Sequence, residues 1–222
     1  MRKIEGLKFL QRFFPEACVD CVFVTENEPL NVHLLRRHTS QLFRVRSGRK
    51  TGSELGSPQR TCRSTKEVGR FIADALVSDN ALEFVIHRVN KSFFEPRFVG
   101  TIALYEKVKP MMIIDLQAVS RKLVVGMDVG GSRPRDWKVV ATYAYPYFGW
   151  WPQVRLADPS FQLDLVSESM HCLWRIGREI GSVKQSLNGQ AFSELPESVT
   201  RFNIYPSGNI LLDDHRNVGS FG

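Results

Sequence analysis

Near residue 80 the apolar residues change their spacing, and that change constrains the fold more than any other feature of the chain. Upstream they recur at three- and four-residue intervals, as on the buried stripe of a helix. Downstream they alternate, in LEFVIHRV (82–89), FVGTIALYE (98–106), MMIIDLQ (111–117), RKLVVGMDV (121–129) and KVVATYAYP (138–146). These runs are rich in β-branched and aromatic residues and are separated by short polar, Gly or Pro breaks, so an antiparallel sheet accounts for them. The expected fold is therefore α+β: a small N-terminal α/β lobe over 1–80, and an antiparallel-sheet lobe with packed helices over 81–222.

Within the first lobe, residues 3–14 place Ile4, Leu7, Phe9 or Leu10, and Phe13 or Phe14 on one side of a helix stopped by Pro15. A strand is expected at Val19–Thr25, a short helix at Leu30–His38 and a strand at Gln41–Val45. From Ser47 to Ser64 the composition turns to Gly, Ser, Arg, Lys and Thr, which reads as a loop with almost no apolar anchors. Ser64 or Thr65 then caps a helix over 66–77. In the second lobe the helical period returns over 161–186, and a hairpin closes the sequence: VTRFNIY, the turn PSGN, and ILLDDHR.

The chain has 222 residues and 43% hydrophobic content, enough to bury a real core. No apolar stretch approaches the roughly 20 residues of a membrane helix. The N-terminal MRKIEGLKFLQRFF lacks a continuous apolar segment and reads as mature protein. Cys18 and Cys21 form a C-x-x-C pair, but Cys62 and Cys172 are solitary, so buried thiols explain the four better than zinc or redox chemistry. A reducing, cytoplasmic setting follows. The net charge of +7, concentrated between Arg36 and Arg70, favours an anionic partner such as a nucleotide, a nucleic acid or an acidic surface.

Two short motifs carry candidate chemistry. Phe43-Arg44-Val45-Arg46-Ser47-Gly48 reads as a strand ending in R-S-G ahead of a basic Gly/Ser loop. Glycine-freed N–H groups with Arg46, Arg49 and Lys50 would suit phosphate, though a solvated basic loop has the same composition. In the closing hairpin, strand alternation puts Asp214, not Asp213, on the face of Arg216. That carboxylate could hold Mg²⁺ or orient phosphate, while a plain surface turn is the alternative. His33, His38, His87, His171 and His215 have no motif partner. The aromatic stretch Tyr143–Trp151 reads as core packing, or as a loop lining a groove or a protein-partner surface.

In order, these segments resemble the nucleotide-binding domain of the pyruvate phosphate dikinase and phosphoenolpyruvate synthase family, of the ATP-grasp class. The residues that carry the resemblance are Lys3 on the first helix, Val45-Arg46-Ser47-Gly48, Phe84–Val89, Val99–Ala103, Leu123-Val124-Val125-Gly126, and Thr200–Arg216 with Gly208 and Arg216 in step. The resemblance implies ATP and magnesium as ligands. Lys3, Arg46, Ser47, Gly48 and Lys50 would meet phosphates, and His87 to Val89 would lie along the adenine edge. Asp214 and Asn203 would hold Mg²⁺, and Arg46 and Arg216 would be catalytic. The family's acidic metal ligands fall on Thr200 and Phe202 here, a departure that puts metal binding in question.

The reading is an ATP-grasp-like nucleotide-binding domain, a phosphotransferase, kinase or ligase if active, with its nucleotide between the two lobes and Arg46 and Asp214 about one hollow. The reading from another class is a non-enzymatic module that binds nucleic acid or an anionic partner through Arg36–Arg70 and stacks bases on Tyr143, Tyr145, Tyr147, Phe148, Trp150 and Trp151.

Overall fold

The computed structural model describes residues 2–18, 20–36, 42–50, 57–105, 111–119, 138–188 and 198–217. The described residues fall into two compact units, Arg2–Glu95 and 96–217. The break at residue 80 expected from the change of period lies inside the first unit. The next strand, LEFVIHRV, pairs with upstream strands and so belongs to them.

In the first unit, α1 (Lys3–Phe13), β1 (Cys21–Val24), α2 (Val32–Arg36), β2 (Leu42–Arg49), β3 (Gln59–Cys62), α3 (Thr65–Ser78) and β4 (Leu82–Val89) follow in order. The strands form a sheet in the order β1-β4-β2-β3, antiparallel throughout. One face packs Phe43, Val45, Phe84 and Ile86 against Val68 and Ile72 of α3 and Leu35 of α2. The other face carries Arg44, Arg46, Val85 and His87 and lies under α1, whose Lys8 ammonium stands 5.2 Å from the centre of the Phe23 ring. Ser64 caps α3 by accepting the Glu67 N–H at 3.2 Å.

Two local expectations change here. β2 continues through Arg49, because Ser47, Gly48 and Arg49 pair with Phe84, Glu83 and Leu82, so R-S-G lies inside the strand. β3 occupies part of the stretch read as loop. Its sequence QRTC has one apolar anchor, Cys62, which is wholly buried, and the backbone pairing with β2 supplies the rest.

The second unit holds β5 (Phe98–Tyr105), β6 (Met111–Ala118), β7 (Lys138–Pro146), β8 (Gln153–Leu156), α4 (Ser167–Asn188), β9 (Ser198–Ile204) and β10 (Ile210–Asn217). Its sheet runs β10-β9-β5-β6-β7-β8, again antiparallel. α4 packs on one face through Met170, Leu173 and Ile180, and it comes very close at Gly177: a Cβ there would lie 2.1 Å from Met112 Sδ. Gly100 is tighter in kind, since its Cβ would meet the Asp115 carbonyl oxygen at 2.1 Å and the Phe202 ring at 2.5 Å. The helix expected over 161–186 begins as a 3-10 turn at Leu163–Val166. The runs RKLVVGMDV and Leu123–Gly126 lie outside the described residues. Among the described residues, no helix is long and apolar enough to cross a membrane.

Candidate functional site

In the first unit, register gathers most of the expected nucleotide residues on one sheet face. Arg44 stands opposite His87 and Arg46 opposite Val85, with Val89 opposite Leu42, all on the side that α1 covers. His87 is 1% exposed, and Arg46 is half-buried. Lys3 at the head of α1 is itself buried and donates from Nζ to the Ser47 carbonyl at 2.6 Å, which ties the helix to β2 where Ser47 and Gly48 follow Arg46.

Among the described residues, Ser47–Lys50 form no anion nest, and residues 51–56 of the expected loop lie outside the described residues. Ser47 N–H and Oγ both donate to the Pro58 carbonyl, at 3.1 and 2.6 Å, and the Lys50 N–H donates to the Ala81 carbonyl at 3.1 Å. The Lys50 ammonium turns to Glu26 at 2.6 Å; the hydrogen bond raises the Lys50 pKa and lowers that of Glu26. Arg49 pairs with Asp79 at 2.8 Å, and Arg2 donates to the Arg49 carbonyl at 3.1 Å. A polar hollow of about 190 Å³ remains, lined by Arg2, Ile4, Glu5, Arg49, Lys50 and Glu83. Its walls carry both signs of charge.

In the second unit, β9 and β10 place Asn203, Arg201, Asp214 and Arg216 on the sheet face opposite α4. A bulge between Leu212 and Asp214 inserts Asp213, so Asp214 lands opposite Arg201. Arg216 clasps the buried Asp214 carboxylate with Nε at 3.1 Å from both oxygens and Nη2 at 2.9 Å from Oδ2. The shared face read from alternation is observed, since past the bulge Asp214, His215 and Arg216 pair in regular register with Arg201, Thr200 and Val199. Arg201 approaches Asp213 at 4.0 Å.

Thr200 and Phe202, where the resemblance placed acidic metal ligands, face the α4 side. Phe202 lies against Gly100, and the buried Thr200 hydroxyl pairs with His215 Nδ1 at 2.7 Å. The metal-ligand register of the dikinase hairpin therefore does not hold here. Asp214 and Asn203 remain as hard oxygen donors on the other face. Among the described residues no cluster of three or more His, Cys, Asp or Glu could hold a metal by itself. Mg²⁺, which commonly takes one or two protein oxygens beside water and phosphate, fits such a sparse set.

Cys18 and Cys21 are buried, and the hydrogen bond from Cys18, with burial second, pushes the Cys21 thiol well above its ordinary range. A thiol held protonated is a poor nucleophile and a poor metal ligand. Cys62 is buried as well, but Cys172 on α4 is exposed, so the reading of all four as buried thiols holds for three.

A third feature was only half visible in sequence. Tyr143 and Tyr145 on β7 are buried, whereas Tyr147, Trp150 and Trp151 in the following turn are exposed, so the aromatic stretch is neither all core nor all platform. The turn closes through Gly149 N–H to the Pro146 carbonyl at 2.9 Å, with Tyr147 and Phe148 at φ 52° and 54°. Two non-glycine residues in the left-handed region are costly, which marks the turn as held by its surroundings. Trp174 of α4 does part of the holding: its indole N–H donates to the Gly149 carbonyl at 3.0 Å, and its ring meets Trp150 edge-on at 4.7 Å. The result is a pocket of about 280 Å³ lined chiefly by Tyr143, Tyr145, Trp150, Trp151, Trp174, His171 and Asp164. Burial pushes the Tyr143 and Tyr145 hydroxyls up to about 12. His171 and Trp174, three residues apart on one helix face, were the sequence signal that this pocket had a second wall.

No protein-family model matches the chain, and no curated protein matches it in sequence. Among solved structures, D-cycloserine synthetase DcsG aligns over 97% of this chain and 61% of its own, with a TM-score of 0.51 at 12% identity. The fold is ATP-grasp. Also similar are the D-alanine-D-alanine ligase from Coxiella burnetii (97% of this chain, 47% of that one, TM-score 0.47, 10% identity) and an N5-carboxyaminoimidazole synthase from Aspergillus clavatus. The latter was solved with ADP and 5-aminoimidazole ribonucleotide, and it aligns over 94% of this chain and 42% of its own, with a TM-score of 0.47 at 10% identity. The chain spans about half the length of these proteins.

Proposed function

We propose that this chain is a nucleotide-binding domain of ligase type, which binds ATP with Mg²⁺. The observation that carries the reading is the fold, which follows a D-cycloserine synthetase over nearly the whole chain. The solved neighbours are ligases, which favours a ligase over the dikinase, kinase or transferase readings.

When bound, MgATP supplies an activated phosphoryl group, the usual requirement for ligation at a carboxylate. Residues of this chain then act by position and charge. Arg46 offers a guanidinium fork to phosphate oxygens, and Lys3 adds a buried positive charge while fixing the end of α1 to Ser47. Ser47 and Gly48 serve as rigid strand positions beside Arg46 and supply no anion nest. His87 and Val89 lie on the same sheet face and shape the base side. Asp214 and Asn203 are the oxygen ligands for Mg²⁺, and Arg216 holds the Asp214 carboxylate in one orientation. Lys50, paired with Glu26 on the surface, has the weakest claim to a phosphate.

The nucleic-acid reading is less well supported, since the residues offered as its stacking platform include the buried Tyr143 and Tyr145. Isothermal titration with MgATP tests the proposal, with a dissociation constant expected in the micromolar range. Arg46→Ala and Asp214→Asn should each weaken binding roughly tenfold or more, as expected for one charge-assisted contact. Thermal denaturation run in parallel separates lost contacts from lost folding. No heat with the wild-type chain, alongside salt-dependent binding of single-stranded RNA, would replace this reading with its rival.

A further inference from the structure

The aromatic pocket of the second unit takes no part in the proposed nucleotide chemistry, yet its composition is specific. The ring walls of Tyr143, Tyr145, Trp150, Trp151 and Trp174 enclose about 280 Å³, near the lower end of the range for small-molecule sites. Aromatic faces carry negative electrostatic potential and attract cations that have shed water. The one carboxylate in the lining, Asp164, has no hydrogen-bond or ion-pair partner for its side chain among the described residues. No Lys or Arg lines the pocket, in a chain of net charge +7.

A second observation points to a ligand independently. Tyr143 is 5% exposed, and its hydroxyl is buried with no hydrogen-bond partner among the described residues. A buried hydroxyl left unpaired is unfavourable and calls for an explanation such as a group that arrives from outside. Trp174 already takes part in such a contact, with the Arg178 guanidinium carbon 5.1 Å from its ring centre.

We propose that this pocket binds a small organic cation, an alkylated ammonium head on a short stem that bears a hydroxyl or another hydrogen-bonding group. The rings of Trp150, Trp151 and Trp174 take the head, Asp164 balances its charge, and the Tyr143 hydroxyl pairs with the polar end of the stem. The turn that carries Trp150 and Trp151 is held in a costly conformation by the Trp174 N–H bond, so the rings are fixed before the ligand arrives.

The test uses the full chain and the tryptophan fluorescence of the pocket itself. Choline is titrated against 3,3-dimethylbutan-1-ol, its neutral isostere, and both are repeated by calorimetry. Choline is expected to bind with a dissociation constant on the order of 1 mM or below, and at least roughly tenfold more tightly than the isostere. Asp164→Asn should close most of that gap. Trp151→Ala, at a side chain 83% exposed and therefore safe for folding, should weaken choline severalfold. Equal binding of cation and isostere would overturn the proposal in favour of a plain apolar site. Absence of choline binding at tens of mM, with circular dichroism unchanged, would overturn it outright. Neither result depends on whether the chain binds ATP.

Discussion

The two sheets of this molecule are covered differently, and the difference explains how each was legible. The four-stranded sheet of the first unit has α1 on one face and α2 and α3 on the other, so β4 is buried almost along its whole length. The six-stranded sheet has α4 on one face, and β5 and β6 largely alternate between buried and half-buried positions. A strand covered on both sides need not alternate, and one covered on one side must. LEFVIHRV carries His87 and Arg88 within an apolar run, and Arg88 reaches Asp20 and the Leu34 carbonyl.

The comparison is broken most severely by placing a charge on the second face of each sheet. Val85→Lys on β4 buries an ammonium beneath α1 and should cost about 4 kcal/mol or more, enough to unfold the first unit in denaturant titration. Ala103→Lys on the half-buried face of β5 should cost about 1 kcal/mol or less. Similar losses at both positions would mean that both sheets are covered alike.

Next in size is a pair of glycines that test what lies against the second sheet. Gly100→Ala drives a Cβ into backbone, which cannot yield, and should cost about 3 kcal/mol or more. Gly177→Ala meets the flexible thioether of Met112 and also gains helix propensity, so a loss of about 1 kcal/mol or less is expected.

What the sequence revealed follows the same division. Long periodic segments, α1, α3, α4 and strands β4 to β7, were readable because their own side chains set their period. β3 and β8 were not: QRTC and QVRL carry little apolar alternation of their own and draw their order from backbone pairing with the preceding strands β2 and β7. The boundary between units was misplaced because β4 looks like its downstream neighbours in composition but pairs upstream. At the candidate site, the Asp214–Arg216 pairing was legible from spacing. The bulge at Asp213 and the capture of the Ser47 N–H by Pro58 were not, since both depend on neighbouring strands.

The smallest expected effect is in the pH response, which also differs between units. Tyr143, Tyr145 and Tyr205 in the second unit all have hydroxyl pKa values raised by burial, with the Asp213 charge adding to the shift at Tyr205. A raised pKa in the folded state means stability that is full below the ordinary value of 10.0 and falls as pH climbs toward about 12. In the first unit the Cys21 thiol is likewise raised, so its contribution begins to fall above 9.0. Denaturant unfolding followed from pH 8 to 12 should therefore show losses that start near 9 and near 10. Cys21→Ala should remove the first and Tyr143→Phe part of the second.

Amide hydrogen exchange with and without MgATP addresses the nucleotide-binding role itself. Binding should slow exchange around Arg46–Arg49 and along β4 in the first unit, and around Asn203 and Asp214–Arg216 in the second, with no change at the Tyr147–Trp151 turn. Exchange unaltered in both units at saturating MgATP would contradict the account and leave an ATP-grasp fold put to some other use.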